Sequence, residues 1–221
     1  MKTGFLFDLD GVLIDSETEY TRIWSEIDKA FPTGITDFAR KIKGETLPKI
    51  LNTYFPAELH SKVTAMLDSE EQRMRYNYMP GARELIDELK RNSLPFALVT
   101  SSNSYKMQHL EEELPGFQKE FNAVITADKV SKSKPDPEGY LLGAKSLGLP
   151  ASRCVVFEDS LQGVKAGRKS GAFTVGLSTT LPTEIIAPWC DMIVSDLSEI
   201  DLQALIERIS VHAANGVQNE N

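Results

Sequence analysis

The chain changes texture twice along its length. Gly4-Phe5-Leu6-Phe7 is a continuous apolar run that stops at Asp8, the pattern of a strand buried on both faces. After Asp15 the period lengthens. Tyr20, Ile23, Trp24, Ile27 and Phe31 recur at helical spacing, with Ser16 in the capping position. Ile50 and Leu51 mark a second helix and Leu59, Val63, Met66 and Leu67 a third, followed by the charged run Glu70, Glu71, Arg73, Arg75. No strand pattern interrupts this block, so residues 16–78 read as an inserted helical module.

Pro80-Gly81 ends the block, and strands and helices then alternate. A helix carries Leu85, Ile86 and Leu89. The strand Phe96-Ala97-Leu98-Val99 ends at Thr100. A helix holds Met107, Leu110 and Leu114, and a strand covers 123–126. Asp136-Pro137 predicts a helix start, with the acid as N-cap and proline at the first helical position. That helix shows Tyr140, Leu141, Ala144 and Leu147 and stops at Gly148. Val155-Val156-Phe157 runs into Glu158-Asp159, a helix spans Ser160 to Gly171, and strands follow at Thr174-Val175 and Ile193-Val194. Leu202 to Ile209 form the last helix. Nearly continuous apolar strands alternating with helices predict an α/β fold: a Rossmann-like core with a mostly parallel sheet, carrying an inserted all-helical domain. The core is then 1–15 and 79–212. The polar tail 213–221 has nothing to pack and is expected to fray.

Sites in such sheets lie at the carboxyl ends of strands. Those ends carry Asp8 and Asp10, Thr100 with Ser101 and Ser102, and Glu158-Asp159, while Lys134 sits in a loop after another strand. Composition narrows the chemistry. A formal charge of −8 argues against a nucleic-acid binder held by phosphate contacts. It also requires local positive charge to draw in an anionic substrate. Cys154 and Cys190 form no zinc spacing, and Cys154 reads as a small buried residue. No segment has the length of a signal peptide or a membrane span, so the expectation is a cytoplasmic protein, a monomer or weak dimer, acting on a small molecule.

Two carboxylates, a second acidic pair, a hydroxyl and a lysine are the parts that phosphoryl transfer to a carboxylate needs. Asp8 is the expected nucleophile, forming an aspartyl phosphate. Asp10 is the expected acid/base, because an alkoxide leaving group needs a proton. Mg²⁺ is expected on Asp8, the backbone carbonyl of Asp10 and Asp159, with Glu158 either a direct or an outer ligand. Thr100 is expected on a phosphoryl oxygen, with Ser101 and Ser102 beside it. Lys134 is expected to neutralise charge on the phosphoryl group and Asp8. Lys129 and Lys132 lie close in sequence, and the Pro-Asp-Pro that follows favours Lys134. Gly163 and Gly167 read as packing positions.

On Asp8-Leu9-Asp10-Gly11-Val12-Leu13, Thr100-Ser101-Ser102, Lys134-Pro135-Asp136-Pro137 and Glu158-Asp159-Ser160, the chain resembles the haloacid dehalogenase superfamily. The matching branch has a helical cap and includes β-phosphoglucomutase and phosphoglycolate phosphatase. The resemblance implies Mg²⁺ dependence, a phosphorylated Asp8, a cap that closes over the substrate, and substrate-reading residues at Lys43-Gly44. It is partial in the cap. Asp15, Arg22 and Trp24 match the mutases, but Tyr20 stands where they have a histidine of the acid/base machinery, and Leu47 where they have a phosphate-binding arginine. The expectation is therefore a Mg²⁺-dependent phosphatase of a small phosphorylated metabolite such as a sugar phosphate. A β-phosphoglucomutase-type mutase is the alternative. A receiver-like phospho-switch fits less well, because a long helical insertion follows the first strand.

Overall fold

The computed structural model describes residues 2–42 and 47–216. Among them six strands form one sheet: β1 (Gly4–Phe7), β2 (Phe96–Val99), β3 (Ala123–Ile125), β4 (Cys154–Glu158), β5 (Phe173–Leu177) and β6 (Met192–Val194). Their order is β3-β2-β1-β4-β5-β6 and every pairing is parallel. The chain builds outward from β1 on one side and then crosses to the other with β4. This reversal of strand order opens a crevice at the carboxyl ends of β1 and β4.

Burial explains the continuous apolar runs. All four residues of β1 and all five of β4 are buried. Phe7 and Phe157 are register partners, and their rings stack with centroids 4.6 Å apart and planes 5° from parallel. Each such side chain removed from water contributes about 1.5–3 kcal/mol. One layer of the core gathers Leu6, Val99, Ile125, Tyr140, Cys154 and Val156. Cys154 is a free thiol at 0% exposure, and burial pushes its pKa up to about 12, as an inert core residue requires.

Ser16–Tyr76 forms a compact unit of its own, and the flanking described residues form the other. Its helices are α1 (Ser16–Ala30), α2 (Phe38–Lys41), α3 (Leu47–Tyr54) and α4 (His60–Glu71). Phe38 is its hub, edge-on to Trp24, Tyr54 and Phe55 at 6.1, 5.4 and 5.7 Å. Arg22 on α1 bonds Glu70 on α4 at 2.9 Å. Asn77 and Tyr78, read as part of the insert, group with the sheet instead: the Asp15 N–H donates to the Asn77 carbonyl at 2.9 Å, and Ile14 bridges to Tyr78.

The sheet unit continues with α5 (Ala82–Arg91), α6 (Ser104–Glu113), α7 (Glu138–Ser146), α8 (Leu161–Ser170), α9 (Thr183–Ile186) and α10 (Leu202–Gly216). Three details differ from the sequence reading. α7 begins at Glu138, so Pro137 takes the N-cap position instead of the first helical one, and Asp136 lies one residue before the cap, its Oδ1 accepting from the Glu138 N–H at 3.0 Å. Leu141 is 45% exposed, because one helical residue turns it 100° from buried Tyr140. The last helix runs past Ile209 to Gly216, into the stretch expected to fray. The two predicted glycine stops both have left-handed backbone, φ +69° at Gly148 and +78° at Gly171.

Candidate active site

β1 delivers Asp8 to the crevice, where the side chain is buried. Lys134 donates from Nζ to Asp8 Oδ1 at 2.6 Å, to Glu158 Oε1 at 2.6 Å and to the Val99 carbonyl at 3.1 Å. The same ammonium lies 5.0 Å from the centre of the Tyr140 ring, and the Tyr140 hydroxyl donates to Glu158 Oε1 at 2.7 Å. The two alternative lysines are elsewhere: Lys129 Nζ bonds the Val124 carbonyl at 2.6 Å, and Lys132 stands 3.8 Å from Asp136.

Glu158 closes β4 at 0% exposure. Besides the two donors on Oε1, its Oε2 accepts from the N–H groups of Asp159 and Ser160, both at 3.1 Å, and from Ser160 Oγ at 3.0 Å. Five donors saturate a carboxylate, which offers about four lone-pair sites. Asp159 follows, buried, and accepts from Thr180 Oγ1. Oxygens of Asp8, Glu158 and Asp159 all lie within 4.8 Å of one another. By distance these three could hold a cation, while by donor count Asp8 and Asp159 are the members with capacity to spare.

The electrostatics agree with that division. Burial, reinforced by Glu158 and Asp10 and opposed by Lys134, lifts the Asp8 pKa to about 7. Burial with Glu158 and Asp8 lifts Asp159 well above the usual carboxylate range. Burial alone would pull Lys134 down, but Asp8 and Glu158 outweigh it and raise it. Three buried carboxylates thus face a single buried ammonium. The set is short of positive charge, and its donors are hard oxygens, the chemistry that suits Mg²⁺.

Asp10 lies apart from this cluster. Lys106 Nζ donates to its Oδ1 and Oδ2 at 2.8 and 2.9 Å, and Ser102 Oγ donates to Oδ2 at 3.1 Å. The Ser102 hydroxyl is therefore turned to Asp10. Its N–H is bonded to Thr100 Oγ1 at 3.0 Å, which leaves the Thr100 hydroxyl proton to donate. Thr100, Ser101 and Lys134 share the wall of one small cavity of about 250 Å³. Lys43 and Gly44 lie outside the described residues.

Two glycines make the carboxylate cluster possible. At Gly11, φ is +74°, and a side-chain Cβ would stand 2.0 Å from Asp159 Oδ2. At Gly163 on α8 it would stand 1.8 Å from the Glu158 carboxyl group. Gly163 and Gly167 bring α8 onto the sheet, as the sequence suggested. At Gly163 the surface it meets is the site itself.

Lys106, Tyr140 and Thr180 were not foreseen. Lys106 carried a signal. It occupies the first turn of α6, three residues after the N-cap Asn103, where a cation opposes the helix dipole. Tyr140 was read only for its apolar ring, and Thr180, in the turn after β5, carried no signal.

In Ser16–Tyr76, Tyr20 and Leu47 line one cavity of about 420 Å³ with Glu17, Trp24, Ile50 and Glu71. Tyr20 Oη donates to Glu71 at 3.0 Å. Among the described residues lining this cavity there is no lysine or arginine.

Comparison with known proteins agrees with this geometry. The family model for haloacid dehalogenase-like hydrolase matches residues 2–171. Validoxylamine A 7'-phosphate phosphatase of Streptomyces hygroscopicus subsp. limoneus is 31% identical over 203 residues, covering 88% of this chain and 94% of that protein. Hexitol phosphatase A of Escherichia coli is 29% identical over 204 residues, covering 89% and 92%. The crystal structure of β-phosphoglucomutase from Clostridium difficile superposes with a TM-score of 0.72 over 97% of this chain and 100% of that one, at 22% identity, a likeness of fold. No helix among the described residues is long and apolar enough to cross a membrane.

Proposed function

The chain belongs to the haloacid dehalogenase-like hydrolases and is a phosphoric monoester hydrolase, and from that premise we propose a Mg²⁺-dependent phosphatase of small phosphorylated metabolites that works through Asp8. The observation that carries this reading is the Lys134 bridge between Asp8 and Glu158 at 2.6 Å on each side. It ties Asp8 Oδ1 in place and leaves Oδ2 to attack the phosphorus in line with the departing ester oxygen.

Each residue then has one task. The Thr100 hydroxyl and the Ser101 N–H donate to phosphoryl oxygens. Lys134 offsets charge on Asp8 and on the phosphoryl group. Asp10, held by Ser102, gives a proton to the leaving oxygen and later takes one from the water that attacks phospho-Asp8. Asp8, Asp159 and the Asp10 backbone carbonyl would hold Mg²⁺. The saturated Glu158 would act behind them, orienting Lys134. When bound, the cation would supply the positive charge that the three carboxylates lack.

The test is hydrolysis of 4-nitrophenyl phosphate, lost on chelation and lost in Asp8→Asn. Full turnover by Asp8→Asn would end this mechanism. A panel of sugar and polyol phosphates then identifies the metabolite, with hexitol phosphates first because the name of one relative carries them.

A second reading, a mutase, is favoured by the likeness to a putative β-phosphoglucomutase from Thermotoga maritima, 28% identical over 94% of this chain with a TM-score of 0.76. Against it, the cavity at Tyr20 and Leu47 offers a second phosphate two carboxylates and no described cation. Conversion of β-glucose 1-phosphate to glucose 6-phosphate with a bisphosphate primer would support the mutase. Phosphate release without isomerisation supports the phosphatase. A receiver-like switch would instead hold phospho-Asp8 for minutes without turnover.

A further inference from the structure

We propose that Lys106 selects the leaving group, favouring phosphate esters whose alcohol carries further hydroxyls, such as phosphorylated polyols and sugars. The inference rests on the phosphatase reading, because it takes Asp10 as the residue that meets the leaving oxygen. Lys106 Nζ stands 2.8 and 2.9 Å from the two oxygens of that carboxylate. Any alcohol oxygen within hydrogen-bond reach of Asp10 therefore arrives beside this ammonium. The side chains of Lys106 and Asp10 are 21% and 34% exposed, so a ligand can reach both.

The position is costly for the helix that bears it. A lysine in the first turn of α6 opposes the helix dipole, and its N–H is already used by the Asn103 cap at 2.9 Å. Nothing about helix stability calls for a cation there. Facing the site, it does two things. It anchors the Asp10 carboxylate together with Ser102, and it keeps a positive charge on the leaving-group side. A neighbouring hydroxyl on the alcohol can accept a charge-assisted bond from it. A plain alkyl chain offers no acceptor. The global charge of −8 sharpens the point, since attraction on this side must come from a local cation.

The experiment compares kcat/KM for glucitol 6-phosphate and hexyl phosphate, both esters of primary alcohols, in the wild type, K106M and K106R. The wild type is expected to prefer the polyol ester. K106M is expected to lower that preference about tenfold to a hundredfold, the worth of one hydrogen bond to a charged group, and K106R to retain part of it. If K106M fails to fold, K106Q carries the same comparison with a polar side chain. Equal proportional losses on both esters would mean that Lys106 acts only through Asp10, and the proposal falls. It falls too if the wild type shows no preference, or cleaves neither ester while still cleaving 4-nitrophenyl phosphate. Failure to cleave 4-nitrophenyl phosphate as well would instead remove the phosphatase reading.

Discussion

Lys134 Nζ lies 2.6 Å from Asp8 Oδ1, though 126 residues separate them in the chain. Removing that ammonium leaves Asp8 and Glu158 buried without their shared cation. Breaking a buried pair from one side costs about 3–5 kcal/mol. Lys134→Met should therefore lower the melting temperature markedly. It should also reduce kcat about a hundredfold to a thousandfold, the usual loss for one donor that stabilises a transition state. Normal turnover in a folded Lys134→Met protein would show that another group neutralises Asp8.

The charge shortage predicts a pH-dependent response to metal. Without a cation, the Asp8 carboxyl is held up at about 7, against an unfolded value of about 4. A raised pKa means that the neutral acid suits the folded protein. Its contribution is fully present below pH ~4 and is lost as pH rises through ~7. Asp159 shifts in the same direction. In EDTA, the melting temperature should fall across this window. Mg²⁺ should restore it, and by more at pH 8 than at pH 5, because it binds the ionised carboxylates. Asp8→Asn should flatten much of the EDTA profile. Thermal unfolding with and without Mg²⁺ at the two pH values measures all three effects.

Gly163→Ala adds one methyl group at the most crowded point of the site. Its Cβ would sit 1.8 Å from a carboxyl group that can move aside only by straining its bonds to five donors. Overpacking of this kind costs about 1–3 kcal/mol. The displaced Glu158 should carry Lys134 with it, so kcat should fall along with stability. Gly167→Ala meets Thr174 and Val156 at 3.0 Å, away from the carboxylates, and should cost stability with little change in kcat per folded molecule. Denaturation curves paired with active-site-normalised rates separate the two cases.

Tyr140→Phe keeps the ring under Lys134 and deletes one bond to a buried carboxylate. Stability should drop by about 1–3 kcal/mol, while Glu158 Oε1 keeps Lys134. Tyr140→Leu removes the aromatic face as well and should lower kcat further. Equal rates in the two variants would show that the ring does not help to place the ammonium.

The strand-end acids were legible because an apolar run that halts at a carboxylate is a local pattern, and so was the alternation that gives a parallel sheet. Lys134 was legible only with the help of its Pro-Asp-Pro context, since Lys129 and Lys132 look equivalent until the loop is folded. The partners of these residues were harder to read. Tyr140 fits its helix by its ring and the site by its hydroxyl, and a periodicity reads only the first. Thr180 reaches Asp159 through a turn whose path depends on β5 being laid beside β4. Lys106 meets Asp10 from 96 residues away, and only its awkward place in a helix start hinted at the contact.

The stacked pair Phe7 and Phe157 acts as a vernier for the chemistry. These rings lock β1 against β4 one residue before the acids, so Asp8 and Glu158 inherit their alignment from the hydrophobic interior. A slip of one residue would move a strand by about 3.3 Å and turn its side chains to the other face. No 2.6 Å contact to a shared ammonium could survive that. The tolerances of the reaction are therefore set by two phenyl rings that never meet the substrate.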